Sequence, residues 1–170
     1  MQKTFTLLIA LLTVSLLAAC GGGKKKEVTA EDRTQAAQAA GEASFANFRS
    51  DFAAAEKALT RATTLNPDNA DYWFDLAIAR ARLQDKSGAK TAFKNVISVC
   101  TDAFKKDPQN PAWLIKQIRP LIMLGRADDA RALLEKAASQ FPNDPQVRQF
   151  KEQNIIDTLL KDPQLKDFSV

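Results

Sequence analysis

Covalent chemistry has few places to happen in this 170-residue chain, because it contains no histidine. That removes imidazole as a general base, as the activator of a hydroxyl or thiol, and as a metal ligand. The two cysteines are the remaining strong nucleophiles. Cys20 follows Leu17-Ala18-Ala19 and closes a stretch, Phe5 to Ala19, with no charged residue and with Lys3 before it. A spanning helix needs about 20 apolar residues, whereas a secretory core needs roughly 7 to 15 ahead of a small-residue cleavage site, and the stretch has the second form. Cys100 is left without a partner in the chain if Cys20 is engaged. It reads as a buried small hydrophobe or as half of an intermolecular disulfide. Ser87-Gly88-Ala89-Lys90-Thr91 looks superficially like a phosphate-binding loop, but the Gly-x4-Gly-Lys-Ser/Thr spacing fails. Asp128 and Asp129 read as helix-start residues favoured by the positive end of the helix dipole. No catalytic constellation, metal site or cofactor is expected.

Leu17-Ala18-Ala19-Cys20 resembles the lipobox of bacterial lipoproteins. The resemblance implies that residues 1–19 are a signal peptide, that Cys20 is the lipid (palmitate) attachment site, and that the tether is permanent, since stable anchoring needs more than one acyl chain. Gly21 stands where an aspartate would signal inner-membrane retention, which implies an outer-membrane lipoprotein facing the periplasm. Gly21-Gly22-Gly23 offers nothing to pack and Lys24-Lys25-Lys26 adds only charge, so residues 20–35 are expected to be anchor and flexible linker. The lysines either stay solvated or touch anionic headgroups, at about 1 kcal/mol each.

Loss of residues 1–19 leaves 151 residues, enough for one domain with its own core. It also takes one basic residue, Lys3, from the 24, leaving 23 against 20 acidic and a formal charge of +3. So mild a balance excludes a dedicated nucleic-acid binder, which concentrates basic charge on one face.

Alanine and leucine recur at helical spacing, and the breaks at Asn66-Pro67-Asp68-Asn69, Asp107-Pro108-Gln109-Asn110-Pro111 and Pro142-Asn143-Asp144-Pro145 each set proline beside Asn or Asp, a combination that stops one helix and caps the next. Superposing the segments reveals a period of 34, the mark of a helix-turn-helix solenoid: residues 36–69, residues 70–103 with an extension 104–110, and residues 111–144. The extension of seven residues is two helical turns, so it lengthens the second unit's second helix while Val96, Val99, Cys100, Ala103 and Phe104 continue the apolar face. Pro120 should bend the third unit's first helix. Residues 145–160 read as a capping helix over the last unit, and residues 161–170 as an extended tail.

The chain resembles the tetratricopeptide repeat family in Ala43, Ala55, Leu59, Ala62 and Pro67; in Trp73, Leu76, Ala77, Ala89, Phe93 and Val96; and in Leu121, Gly125, Ala130, Leu134, Ala137 and Pro142. Departures are the missing aromatic at the opening of the first unit and Glu42 in place of leucine. The resemblance implies an all-α fold, a short α-solenoid of about three repeats plus a C-terminal capping helix. It also implies a concave groove lined by the first helices: Ser44, Asn47 and Phe48; Asp71, Phe74, Asp75, Ile78 and Arg82; Ile115, Lys116, Arg119, Ile122 and Met123. Phe74 and Ile78 read either as an apolar strip for a partner or as packing, and Asp71 and Asp75 as sites for a basic partner or as a solvated face. The family's carboxylate clamp is not met, because its central positions hold Ser44, Ile78 and Arg119. The expected function is that of a membrane-tethered scaffold or assembly factor whose groove binds a protein or peptide of the cell envelope, with no nucleic acid and no small-molecule substrate. The alternative is a structural subunit associating through its convex face around Phe104.

Overall fold

The computed structural model describes residues 27–166, so Cys20, the signal-like segment and residues 167–170 lie outside the described residues. Three pairs of antiparallel helices form the body: α1 (Ala30–Phe48) with α2 (Phe52–Leu65), α3 (Ala70–Arg82) with α4 (Lys86–Lys106), and the short α5 (Ala112–Ile115) and α6 (Ile118–Met123) with α7 (Ala127–Gln140). α8 (Pro145–Glu152), α9 (Ile155–Lys161) and α10 (Pro163–Lys166) follow. Successive pairs stack through α2 on α3 and α4 on α5 and α6, which is the short α-solenoid that the period implies. No described helix is long and apolar enough to cross a membrane.

The repeat is visible in the backbone itself. The turn inside each unit carries one residue with positive φ, Ser50 at 57°, Gln84 at 62° and Gly125 at 70°. Ser50 and Gln84 are 34 residues apart, and Gln84 and Gly125 are 41 apart, the period plus the seven-residue extension. Only the third of these turns uses glycine, the residue that adopts this conformation without steric cost. The next residue caps the second helix in two of the units: Asp51 accepts from Ala54 N–H at 3.0 Å and Asp85 from Gly88 N–H at 2.8 Å. Gly88 leaves room for that cap, since a Cβ there would stand 2.0 Å from Asp85 Oδ2 and displace the capping carboxylate. α4 has 21 residues against 14 in α2, so the extension went entirely into that helix.

Small side chains set the inter-helix distances. Ala43, Ala46, Ala55, Ala58, Ala77, Ala89 and Ala92 are buried with Leu59, Leu76, Phe93 and Met123 in a core shared by the first two units. A second core joins Leu114, Ile115, Ile118, Leu121, Ile122, Ala130, Leu134 and Ala137 to Val147 and Ile156 of the cap. Between them Ala70, Val96 and Cys100 form a smaller cluster flanked by Trp73, Phe74 and Trp113.

Four expectations are corrected. The linker does not reach residue 35, because Thr29 starts α1 with a capping box: Asp32 N–H donates to Thr29 Oγ1 and Thr29 N–H to the Asp32 carboxylate, both at 3.0 Å. The third unit's first helix is broken rather than bent. Pro120 cannot donate to the carbonyl four residues back, Lys116, and the chain parts at Lys116 and Gln117. There Gln117 N–H turns to the Leu114 carbonyl at 3.2 Å, and the Gln117 side-chain amide supplies the Trp113 carbonyl with a donor at 2.8 Å. The cap over residues 145–160 is two helices, parted at Gln153 and Asn154, the latter left-handed with φ 46°. The expected extended tail contains α10, started by Pro163.

Candidate functional site

The groove expected of the repeat would be lined by the first helices of the three units, so each helix start decides which side chains it would present. Asn69 caps α3, accepting from Asp71 N–H at 2.9 Å and Tyr72 N–H at 3.3 Å. Trp73 pins that start by donating its indole N–H to the Pro67 carbonyl at 2.8 Å. With α3 fixed, Asp71, Asp75 and Arg82 are exposed, while Phe74 and Ile78 are half-buried against the first core. Phe74 meets Phe93 edge to face at 5.8 Å between centroids, a preferred aromatic geometry. The apolar strip is therefore partly packing, and only its outer edge is available to a partner.

Lys116 stands at the break of the third unit and reaches Asp71 of α3. Its Nζ lies 2.8 and 2.7 Å from the two carboxylate oxygens and 5.8 Å from the Trp113 ring centroid. Asp71 therefore already has a basic partner within the chain. Asp75, one turn on, has its carboxyl raised above the usual carboxylate range, first by desolvation and then by the charge of Asp71. Arg119 is exposed on α6 and Arg82 at the end of α3, where the Arg82 guanidinium lies 5.5 Å from the Phe52 ring centroid. The expected groove positions thus carry a mixed set of exposed side chains, with acids on α3 and cations at Arg82, Lys116 and Arg119.

Not every expected groove residue is there. Ile115 is buried, as are Ile122 and Met123. The break at Lys116 and Gln117 turns Ile115 into the second core, and α9 lies over α6 and covers the Ile122 side. Ser44, Asn47 and Phe48 are exposed, but Phe48 stands across α1 from its buried stripe of Ala36, Ala39, Ala43 and Ala46. It is 87% exposed and Phe45 is 63% exposed, so both form an apolar patch on the outer end of the stack. Phe45 and Leu83, also exposed, were not among the expected site residues; the signal in the sequence was an aromatic at the end of α1 with no partner in the repeat pattern.

Other singled-out residues are structural. Cys100 is a free, fully buried thiol whose pKa is pushed up to about 11, chiefly by desolvation, so it behaves as a small hydrophobe and is closed to an intermolecular disulfide in the folded chain. Ser87 and Gly88 form the first turn of α4. Asp128 and Asp129 lie in the first turn of α7, where Arg131 and Arg126 pair with them. Glu42, an oddity of the first unit, pairs with Arg61 of α2 at 2.7 Å. Phe104 is half-buried in the second core, with Lys136 Nζ 5.4 Å from its ring centroid. A separate cavity of about 410 Å³ between α7, α8 and α9 is rimmed by the pairs Arg131–Asp157 and Lys151–Glu135, both near 3 Å, and belongs to the joint of the cap. Among the described residues no three of Cys, Asp and Glu gather to hold a metal ion.

Sequence profiles described as tetratricopeptide repeat match residues 46–95 and 92–153. No curated protein matches the chain. Among solved structures it is similar to the Yersinia enterocolitica type III secretion chaperone SycD in complex with a peptide of the translocator YopD, with 17% identity, 83% of this chain and 98% of that chain covered, and a TM-score of 0.49. It is also similar to a Thermobaculum terrenum O-GlcNAc transferase variant, with 18% identity, 81% of this chain and 25% of that chain covered, and a TM-score of 0.48.

Proposed function

The chain belongs to the tetratricopeptide repeat family, and from that premise we propose that it is a protein-binding scaffold or assembly factor of the bacterial envelope, tethered by lipid on Cys20, whose groove takes a protein or peptide partner. Family membership and the all-helical stack support a protein-interaction module rather than a catalyst. The observation that carries the finer reading is the groove itself: Asp75, Arg119 and Arg82 stay exposed beside the half-buried edge of Phe74 and Ile78. Apolar edges bordered by charges of both signs suit a peptide, which buries the first and pairs with the second.

Tethering is the second part of the reading, and it rests on the sequence around Cys20. Three repeats hold few contacts, so confinement at a membrane raises their effective concentration near partners fixed there. The assignment is to an outer-membrane lipoprotein facing the periplasm. Palmitate labelling of wild type and of Cys20→Ser, with membrane fractionation of both, tests it: label and membrane association lost together support the tether, and an unlabelled wild type overturns it. Crosslinking in intact cells followed by mass spectrometry identifies the partner.

A structural-subunit reading draws on a different observation. Phe104, its expected contact, is used internally, but Phe45 at 63% and Phe48 at 87% exposure leave apolar surface on the first unit. Light scattering separates the two: a concentration-independent oligomer that Phe48→Ser disperses favours the subunit.

A further inference from the structure

We propose that the outward side of the first unit is a second docking site, distinct from the expected groove of the first helices. It takes an acidic amphipathic helix of a partner protein, which lies between α1 and α2 as one more helix of the stack.

The site is a shallow groove of about 270 Å³ lined by Glu42 and Ala46 of α1 and by Ala54, Lys57, Ala58 and Arg61 of α2. No other described element contributes a residue to it. Its floor is continuous with the first core. Ala46 and Ala58 belong to that cluster and keep 8% exposure each, the most in it, whereas Ala43, Ala55 and Leu59 beside them keep 0 to 1%. The first core is thus least closed along this floor. Methyl side chains let a further helix approach closely, and the channel between two antiparallel helices is the shape that a ridge of helical side chains fills. Phe45, three residues from Glu42 and so on the same side of α1, borders the floor and is exposed. An end unit of a repeat stack needs a polar outer face to stay soluble alone. This one presents alanines and an aromatic instead, which marks a contact surface.

Charge selects the partner. Lys57 and Arg61 stand one turn apart on α2, and the guanidinium carbon of Arg49 lies 5.8 Å from the Phe45 ring centroid. Against them are Glu42, which pairs with Arg61 at 2.7 Å, and Asp51, whose carboxylate accepts from Ala54 N–H at the start of α2. Three cations thus meet two carboxylates that are already engaged. A helix with Asp or Glu flanking its apolar stripe is favoured there, and a basic one is repelled. The same excess disfavours a second copy of this chain, because a two-fold contact would set Arg49, Lys57 and Arg61 against their own counterparts. A flat lipid surface would meet Phe45 and the cations but leave the alanine floor unfilled.

The probe is a labelled five-turn synthetic helix with a leucine stripe and glutamate on both flanks. It is titrated into the full chain in phosphatidylcholine nanodiscs and read by fluorescence anisotropy, with empty nanodiscs as the blank. It is expected to bind at least tenfold more tightly than the same helix with lysine for glutamate, and Lys57→Glu should weaken it at least fivefold. Ala54→Arg separates docking from mere attraction, since it adds a cation while filling the floor: docking loses at least fivefold, whereas charge attraction alone gains. Ala54 and Lys57 are exposed, and circular dichroism verifies that each variant is folded. The double variant Asp75→Lys with Arg119→Glu, in the other groove, should bind the helix as wild type does. No binding of either helix, equal binding of both, or undiminished binding by Ala54→Arg would overturn the proposal. So would a dimer in light scattering that Ala54→Arg disperses, which gives the face to a second copy. Flotation of the Cys20→Ser chain with phosphatidylglycerol vesicles, abolished by Lys57→Glu, would give it to a lipid surface and overturn it equally.

Discussion

Lys116 Nζ sits 2.8 and 2.7 Å from the two carboxylate oxygens of Asp71, a pair 45 residues apart that joins the third unit to the second. Both side chains are substantially exposed, and exposed pairs contribute about 0 to 1 kcal/mol. A double-mutant cycle of Lys116→Ala and Asp71→Ala is expected to give a coupling within that range, falling further in high salt as screening grows. Its larger consequence is for binding: Lys116→Ala frees Asp71, so a basic ligand should gain affinity for the groove and an acidic one lose it.

Ser50 and Gln84 hold left-handed backbone without being glycine. Such a conformation costs an L-residue roughly 1 to 2 kcal/mol, partly offset by the extra freedom that glycine gives the unfolded chain. Gln84→Gly is therefore expected to stabilise the chain by about 0.5 to 1 kcal/mol in chemical denaturation, and Gly125→Ala to destabilise it by a similar amount.

Cys100 is buried with its thiol pKa pushed up to about 11. The thiolate is the reactive species, so near neutral pH Cys100 of the folded Cys20→Ser chain should resist maleimide over a time in which the denatured chain reacts fully. Rapid labelling of Cys100 in that folded chain would show that α4 opens readily at this point.

Asp75 gives a pH dependence with a definite sign. Its carboxyl is raised above the usual range by desolvation, then by Asp71, so the native chain binds this proton more tightly than the unfolded one. Stability from this group is full below the usual carboxylate range and is lost as pH rises through the raised value. Asp75→Asn is expected to raise the melting temperature slightly at neutral pH and to have no effect in acid.

Period 34, the break positions and the seven-residue extension were legible because proline and alanine placement follows directly from helix packing; the positive-φ turns at Ser50, Gln84 and Gly125 repeat it in the backbone. The start of α1 was missed although Thr29 and Asp32 spell a capping box, because the alanine-rich helix after it has almost no apolar periodicity to point back to the cap. On α3, which is continuous, the expected residues Asp71, Asp75 and Arg82 are exposed. The expectation failed at Ile115 because carrying positions along a helix presumes an unbroken register, and Pro120 breaks it four residues upstream. It failed at Ile122 and Met123 because long-range contacts decide their burial, α9 over α6 for Ile122 and the first core for Met123, and local pattern does not encode those.

Affinity recovery from envelope extracts tests the central claim most directly, comparing the wild-type chain with the folded double variant Asp75→Lys with Arg119→Glu. Both positions are exposed, so the stack should stay intact while the groove's charge pattern is reversed. The account predicts a stoichiometric protein partner recovered by wild type and reduced at least tenfold with the variant. The same partner recovered equally by both, or none recovered by wild type, would contradict it.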